Sequence, residues 1–399
     1  MMCYRATWIV PIAGAPLRDS CVAVDGGRIV AVGETDGRET VDLGNVAILP
    51  GLVNAHTHLE LSYLHRAIPP AAQFTDWIRE VMRMRREHPD PTAPVIIAAA
   101  ARAMVDMRAF GTAVVGDVSN SLVTAPMLAD AGMQAVVFYE LLGFNAPDPQ
   151  GVVTRARQAL DGLGAHPGVA ATLAAHAPYS VSPELFRAIR SDLELRPLRT
   201  STVHLGESPE ESELLRSGQG PWRTLLQELG VWSDSWRVPR RTPVEYLDDL
   251  GFLDRDVLVV HGVQFTRGDL DRLHALGATL VACPRSNRHV GVGSPPLEVF
   301  YTRKVRVAFG TDSLASVEDL NLFGELAEAR RIAPGVPAHA LLESATLVGA
   351  QALGLSRDFG SIEPGKRASL IAVRVPERVV DVEEYLVSGI QPDAIQWLS

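Results

Sequence analysis

The sequence predicts an α/β protein: a (β/α)8 barrel joined to a small discontinuous β-sandwich domain built from both termini. Three observations lead there. Eight short, almost continuously apolar stretches recur between 47 and 309, as parallel strands buried on both faces require. Helical stretches follow most of them. The two ends of the chain carry no helix signal and read as short strands instead.

In order, strands are expected at 7–12, 21–25, 28–32 and 40–43, with Asp25-Gly26-Gly27 as a hairpin turn. The first apolar run is short and broken by Pro11, so it reads as a strand rather than a signal peptide. The barrel opens at 47–54. Strands at 113–116, 135–139 and 169–175 are each followed by a helix, at 124–131, 152–163 and 183–193. A strand at 200–203 leads into a long connection, 207–246, that carries Trp222, Trp232 and Trp236 and reads as a lid or a packed excursion. Strands at 257–260, 279–282 and 305–309 complete the eight, with a helix at 267–276. After 356 the chain returns to strands at 360–364 and 368–375, before a polar tail. The expected division is 1–46 and 357–399 for the small domain and 47–356 for the barrel.

Composition narrows the function. The 399 residues are 47% hydrophobic and 21% charged, enough for a large core. Net charge is -10, and the one basic cluster (Arg79, Arg83, Arg85, Arg86) falls on a predicted helix as a solvated face. Nucleic acid is therefore not an expected partner, and no run is long enough to span a membrane. Three scattered cysteines suit a reducing cytoplasm without disulfides.

Polar residues end nearly every strand: His56 and His58, Asp117, Glu140, His176, His204, His261, Cys283 and Asp312. In a parallel barrel that rim carries the chemistry. His56 and His58 are two apart and share one face of a strand. With His204 and Asp312 they make three imidazoles and a carboxylate, a donor set for one divalent ion. Zn2+ is the first expectation and Fe2+ the alternative. The ion would leave room for a water and lower its pKa. Glu207, three residues beyond His204, can carry a proton to a leaving group. His261 can hydrogen-bond the water, and Asp312 can accept its first proton. A lysine-bridged pair of metals needs a lysine at the end of strand four, but that strand ends Ala174-Ala175-His176. Lys304 and Lys366 are the only lysines, so a single metal is expected. Glu60, His176, Tyr179, Arg285 and Asn287 are candidates for binding substrate or for hydrogen-bonding at the rim, Arg285 as an anchor for an anionic group. Cys283 lacks a base and reads as packing.

Taken together, Pro50-Gly51-Leu52-Val53-Asn54-x-His56-x-His58, His204-x-x-Glu207, His261, Cys283-Pro284-x-Ser286-Asn287 and Gly310-Thr311-Asp312-Ser313 resemble the amidohydrolase superfamily. The resemblance is to its branch of cytosine, S-adenosylhomocysteine and chlorotriazine hydrolases. It runs down to Gly365-Lys366-Arg367-Ala368, with Ser369 where the family usually has Asp. It implies metal ligands His56, His58, His204 and Asp312, catalytic roles for Glu207 and His261, and a homodimer as a common state. His56-Thr57-His58-Leu59-Glu60-Leu61-Ser62, His176-Ala177-Pro178-Tyr179-Ser180 and Cys283-Pro284-Arg285-Ser286-Asn287 look most like the aminodeoxyfutalosine deaminases of menaquinone synthesis.

The expected function is therefore metal-dependent deamination of the adenine ring of a modified nucleoside, with 6-amino-6-deoxyfutalosine the foremost substrate. S-adenosylhomocysteine, adenosine-type nucleosides and other heterocycles are the nearest alternatives. Hydrolysis of a cyclic amide or a chlorotriazine would use the same site on another bond. A non-catalytic metal-binding homologue should lack at least one catalytic group, and here every one is present.

Overall fold

The computed structural model describes residues 1–33 and 39–398. Both termini build one seven-stranded mixed sheet. Its strands are β1 (Met2–Ile9), β2 (Leu17–Asp25), β3 (Arg28–Gly33), β4 (Thr40–Asp42), β5 (Val46–Pro50), β14 (Leu370–Arg374) and β15 (Ile395–Leu398). The order is β15-β14-β5-β1-β2-β3, with β4 beside β1. Asp25 pairs with Arg28 across Gly26 and Gly27, at φ 53° and 73°, the left-handed pair a two-residue hairpin needs. One face of the sheet buries Tyr4, Val22, Ile29, Ile48 and Leu370.

Three expectations change here. The described terminal strands belong to a single sheet, so the facing sheets of a sandwich are not shown. The stretch expected as one strand, 47–54, is two: β5 pairs with β1 and β14, and a separate strand starts at Leu52. Gly51 marks the handover, because a Cβ there would lie 2.6 Å from Ala113 Cβ. Residues 360–364 form no strand, though Ile362 N–H donates to Pro11 O, while the expected polar tail contains β15.

The remaining strands are parallel and fall into two groups of four. The first is β6 (Leu52–Thr57), β7 (Thr112–Ser119), β8 (Gln134–Leu141) and β9 (Val169–Ala175). The second is β10 (Ser201–Leu205), β11 (Val257–His261), β12 (Thr279–Ala282) and β13 (Arg306–Phe309). Hydrogen bonds join the groups at both seams. His204 N–H donates to His176 O at 2.9 Å beyond β9, and Ser201 Oγ donates to Leu173 O. Asp312 N–H donates to His56 O at 3.0 Å beyond β13, and the Asn54 amide pairs with Thr311 at 2.7 and 3.1 Å. Gly310 is required at this crossing, since a Cβ would sit 2.7 Å from His56 Cβ. The seams therefore set the positions of His56, Asp312, His176 and His204. The long connection contains three helices, Pro209–Ser217, Pro221–Glu228 and Pro243–Asp249, and Trp222 is buried against Phe74 and Tyr179.

Asp117, at the end of β7, ties two neighbouring segments to the strand. Its carboxylate accepts Leu59 N–H at 2.9 Å and the Thr124 hydroxyl at 2.6 Å. Burial pushes this carboxyl up to about 7, against those two donors. The folded state therefore keeps a proton that the unfolded chain loses near pH 4. The stability this gives declines as pH rises from about 4 through 7. Asp117→Asn removes the titration. Wild type should then lose at most roughly 4 kcal/mol relative to the variant between pH 4 and 8. Urea unfolding across that range is the check, and parallel stability curves would contradict it.

Candidate active site and metal centre

The strand ends converge beneath a cavity of about 580 Å3. His58 Nε2 lies 3.2 Å from both His56 Nε2 and His204 Nε2, and 3.5 Å from Asp312 Oδ1. His56 Nε2 is 3.7 Å from the same oxygen. His204 Nδ1–H donates to His176 O at 3.1 Å, which leaves its Nε2 as a lone pair. Burial, then the neighbouring His56, lowers His58 well below the ordinary histidine value and His204 to about 4. Burial would raise Asp312, but the imidazoles of His56, His58 and His261 around it hold it well below the usual carboxylate range. Convergent neutral nitrogens and an ionised carboxylate repel one another and suit a cation between them. His56, His58, His204 and Asp312 thus fit a divalent metal, as expected. Ser286 Oγ donates to Asp312 Oδ2 at 2.7 Å and Ser313 N–H to Oδ1 at 2.8 Å, fixing the carboxylate's rotation.

Glu207 and His261 stand beside this cluster. Glu207 Oε1 is 3.6 Å from His261 Nε2, and both groups lie within 4.8 Å of Asp312. Burial first, then Asp312 and Glu211, pushes the Glu207 carboxyl well above its ordinary value. Asn287 Nδ2 donates to His261 Nδ1 at 3.0 Å, which puts the ring's proton on Nε2, toward Glu207. His261 and Asp312 both hold positive φ, 80° and 61°, a cost of about 1–3 kcal/mol each that the surrounding packing sustains.

A residue that sequence reasoning missed sets the direction of Glu207. Glu211 is fully buried and accepts Gly206 N–H at 2.9 Å and Glu207 N–H at 3.1 Å. Gly206 has φ 63°, and a Cβ there would meet the Phe265 ring at 2.3 Å. Ser208-x-x-Glu211 has the form of a helix-start capping pattern, which was the signal available. Glu211→Ala should lower kcat roughly 10- to 100-fold, the loss a misplaced proton donor causes. Metal content and KM should stay near wild type in steady-state assays with metal analysis. An unchanged kcat in the folded, metal-loaded variant would show that Glu207 needs no such support.

The weaker candidates divide. His176 and Tyr179 line the cavity, the first holding its ring through Ser180 Oγ at 2.6 Å, the second stacked on Trp222 at 3.7 Å. Arg285 does not face the cavity: it pairs with Glu325 at 2.7 Å and Asp319 at 2.8 Å, packed over Gly324. Glu60 is buried and already accepts from Ser119, Asn120 and Ser121, and Asn287 serves His261. These three are corrected from candidate substrate ligands to supporting groups. Cys283 is buried, with its thiol pushed far up by that burial, as packing requires. Arg79 and Arg83 pair with acids on the surface, but Arg85 and Arg86, expected there too, line the cavity. A larger, more open cleft of about 780 Å3 lies by residues 12–16 and His339, away from the strand ends, and no metal-binding cluster is found there among the described residues.

The model of the amidohydrolase family matches residues 47–389. The chain belongs to that family. This amidohydrolase is 32% identical over 354 residues to the aminodeoxyfutalosine deaminase of Deinococcus radiodurans, covering 84% of the chain and 81% of the relative. It is 31% identical to a 5-methylthioadenosine/S-adenosylhomocysteine deaminase of Halobacterium salinarum, over 89% of the chain and 79% of the relative. Among solved structures, an adenosine deaminase from Xanthomonas campestris with bound zinc superposes with a TM-score of 0.84. That match is 27% identical and covers 99% of this chain and 90% of the other. The amidohydrolase is thus a hydrolase acting on C–N bonds, of the adenosine-deaminase type, with a site for a divalent metal. No helix among its described residues is long and apolar enough to cross a membrane.

Proposed function

We propose that this amidohydrolase deaminates the adenine ring of a modified nucleoside, with 6-amino-6-deoxyfutalosine the first candidate. The observation that carries the reading is the buried Glu207, its carboxyl pushed up by that burial, facing His261 and Asp312 beside the imidazole cluster. A bound divalent ion, Zn2+ before Fe2+ for three nitrogens and a carboxylate, supplies Lewis acidity to water at neutral pH.

The side chains then divide the proton work. Asp312 takes a proton as water's oxygen bonds to the amino-bearing ring carbon. Glu207 gives its proton to the neighbouring ring nitrogen, and His261 Nε2–H steadies the added oxygen. Asp312 next passes its proton to the amino group, the C–N bond breaks and ammonia leaves. The adduct's hydroxyl proton returns to Glu207, which leaves a hypoxanthine ring and restores both carboxyls. On this reading β6 to β13 form a closed barrel, the terminal sheet with β5 included belongs to the small domain, and the enzyme serves menaquinone synthesis in the cytoplasm.

The test is ammonia release by metal-loaded protein from aminodeoxyfutalosine, adenosine, S-adenosylhomocysteine, guanine and cytosine. A preference of tenfold or more in kcat/KM for aminodeoxyfutalosine supports the specific reading. Preference for S-adenosylhomocysteine moves the substrate to the other group of relatives. No ammonia from any of them sinks the nucleoside reading and turns attention to cyclic amides and chlorotriazines.

A further inference from the structure

The short helix Pro284–His289 orients two residues of the site at once. It leaves the end of β12, and β12 runs between β11 and β13. His261 ends the first of these neighbours and Asp312 follows the second. Two consecutive, fully buried side chains of the helix reach them both. Ser286 Oγ donates to Asp312 Oδ2 at 2.7 Å, and Asn287 Nδ2 donates to His261 Nδ1 at 3.0 Å. Asp312 and His261 are also the site residues that hold positive φ. Such backbone persists only where its surroundings over-determine it. A helix of six residues has few hydrogen bonds of its own, so its rotation must be fixed from outside.

Arg285 supplies that anchor. Its backbone N–H and its Nε donate to Glu325 at 3.1 and 2.7 Å, and Glu325 is fully buried on helix Leu322–Ile332. Its Nη1 and Nη2 donate to Asp319 Oδ1 at 2.8 Å and Asp319 O at 2.6 Å. Asp319 lies in the loop between Asp312 and the second helix. The guanidinium crosses Gly324, where a Cβ would come within 2.5 Å of Nη1. One planar group therefore joins the short helix, the loop after Asp312 and the helix behind both. Burial pushes the Glu325 carboxyl up to about 7 even with the Arg285 charge beside it. A buried ion pair of this kind adds little net stability over an apolar pair of similar volume. Its geometric effect is specific, because it fixes the one helix that touches both Asp312 and His261.

We propose that Arg285 is a positioning residue of this site: by fixing helix Pro284–His289 it sets, through Ser286 and Asn287, the directions of the Asp312 carboxylate and the His261 ring. The two arms have separate consequences. A misdirected Asp312 weakens metal binding. A misdirected His261 slows the chemical step and leaves substrate binding alone. The metal arm stands on the ligand cluster, whereas the turnover arm rests on the nucleoside reading above.

The test uses full-length protein stripped of metal, with Co2+ affinity measured by competition against a chelating dye. Ammonia release from the best nucleoside of the panel gives kcat and KM. One variant is R285K, which keeps a charge beside Glu325 but loses the planar fork. The other is R285M/E325Q, which leaves no charge buried and keeps an acceptor for the helix N–H. R285M/E325Q should bind Co2+ roughly 10-fold more weakly and lose roughly 10- to 100-fold in kcat, with KM within about twofold. R285K should fall between that variant and wild type. Each loss should shrink where its arm is already cut. On top of S286A the further loss of affinity should be under about twofold, and on top of N287A the further loss of kcat under about threefold. Losses of undiminished size in those backgrounds would make Arg285 a general stability element and overturn the proposal. Wild-type affinity and turnover in R285M/E325Q, or failure of both variants to fold, would overturn it as well. No ammonia from wild type sinks the nucleoside reading alone, and the Co2+ comparison with S286A then decides the role of Arg285.

Discussion

Glu207→Gln should leave the metal and the substrate bound and lower kcat roughly 10²- to 10⁴-fold, the usual worth of a positioned proton donor. Gln keeps the side chain's length and one oxygen, so the packing around this buried position is retained. It cannot release a proton. The proposed chemistry needs Glu207 twice, once to protonate the ring nitrogen and once to recover a proton from the added hydroxyl. Both uses require a carboxyl that holds a proton near neutral pH. Burial shifts the Glu207 carboxyl in that direction, and the neighbouring Asp312 and Glu211 reinforce the shift. A loss confined to kcat marks an interaction made in the transition state, whereas a rise in KM alone would assign Glu207 to ground-state binding. Wild-type turnover in a metal-loaded Glu207→Gln enzyme would remove Glu207 from the proton path.

Much of this site was legible because strand geometry maps short spacing onto direction. His56 and His58 share a face through the two-residue period, and His204, His261 and Asp312 follow at the ends of later apolar runs. Residues whose partners lie across the fold were not legible in that way. Arg285 belongs to a motif beside His261 and Asp312 in space, yet its guanidinium is drawn over Gly324 toward Glu325 and Asp319, some 40 positions on. Arg85 looked like surface because Arg79, Arg83 and Arg86 surround it in sequence. Its helical register tells otherwise: Phe74, Trp77, Ile78, Val81 and Met82 form one stripe, and Arg85 extends it by one turn. The domain handover was hidden for a similar reason. An apolar run through Pro50-Gly51 reads as one strand, and only pairing with Leu370–Arg374 on one side and Thr112–Ser119 on the other divides it. The last strand was missed because Asp393 just before it and Gln396 within it make the stretch look polar, while Trp397 lies under the Arg108 guanidinium at 3.5 Å.

Removing the metal with a chelator at neutral pH should abolish turnover, and adding back a divalent ion should restore it. The ligand geometry also predicts how acid does the same. An exposed imidazole begins to favour a proton over a metal near pH 6.5. Here burial and mutual repulsion already disfavour the protonated ring, lowering His204 to about 4 and His58 well below its ordinary value. The metal should therefore be retained as pH falls through 6.5 and be released only closer to 4, when protons compete for those nitrogens. Stepwise dialysis followed by metal analysis measures this directly, independent of any substrate. The sign for the metal-free protein is equally fixed: groups depressed in the folded state give stability above about pH 6.5 that is lost as pH falls toward their folded values. Restoring metal at a thousandfold excess over its dissociation constant should add about 4 kcal/mol at neutral pH, seen as a higher Tm. Metal release already complete at pH 6.5 would mean that the imidazoles are not held neutral by burial. Full activity in verified metal-free protein would dissolve the metal centre itself, and the His56, His58, His204 and Asp312 cluster would then need another occupant.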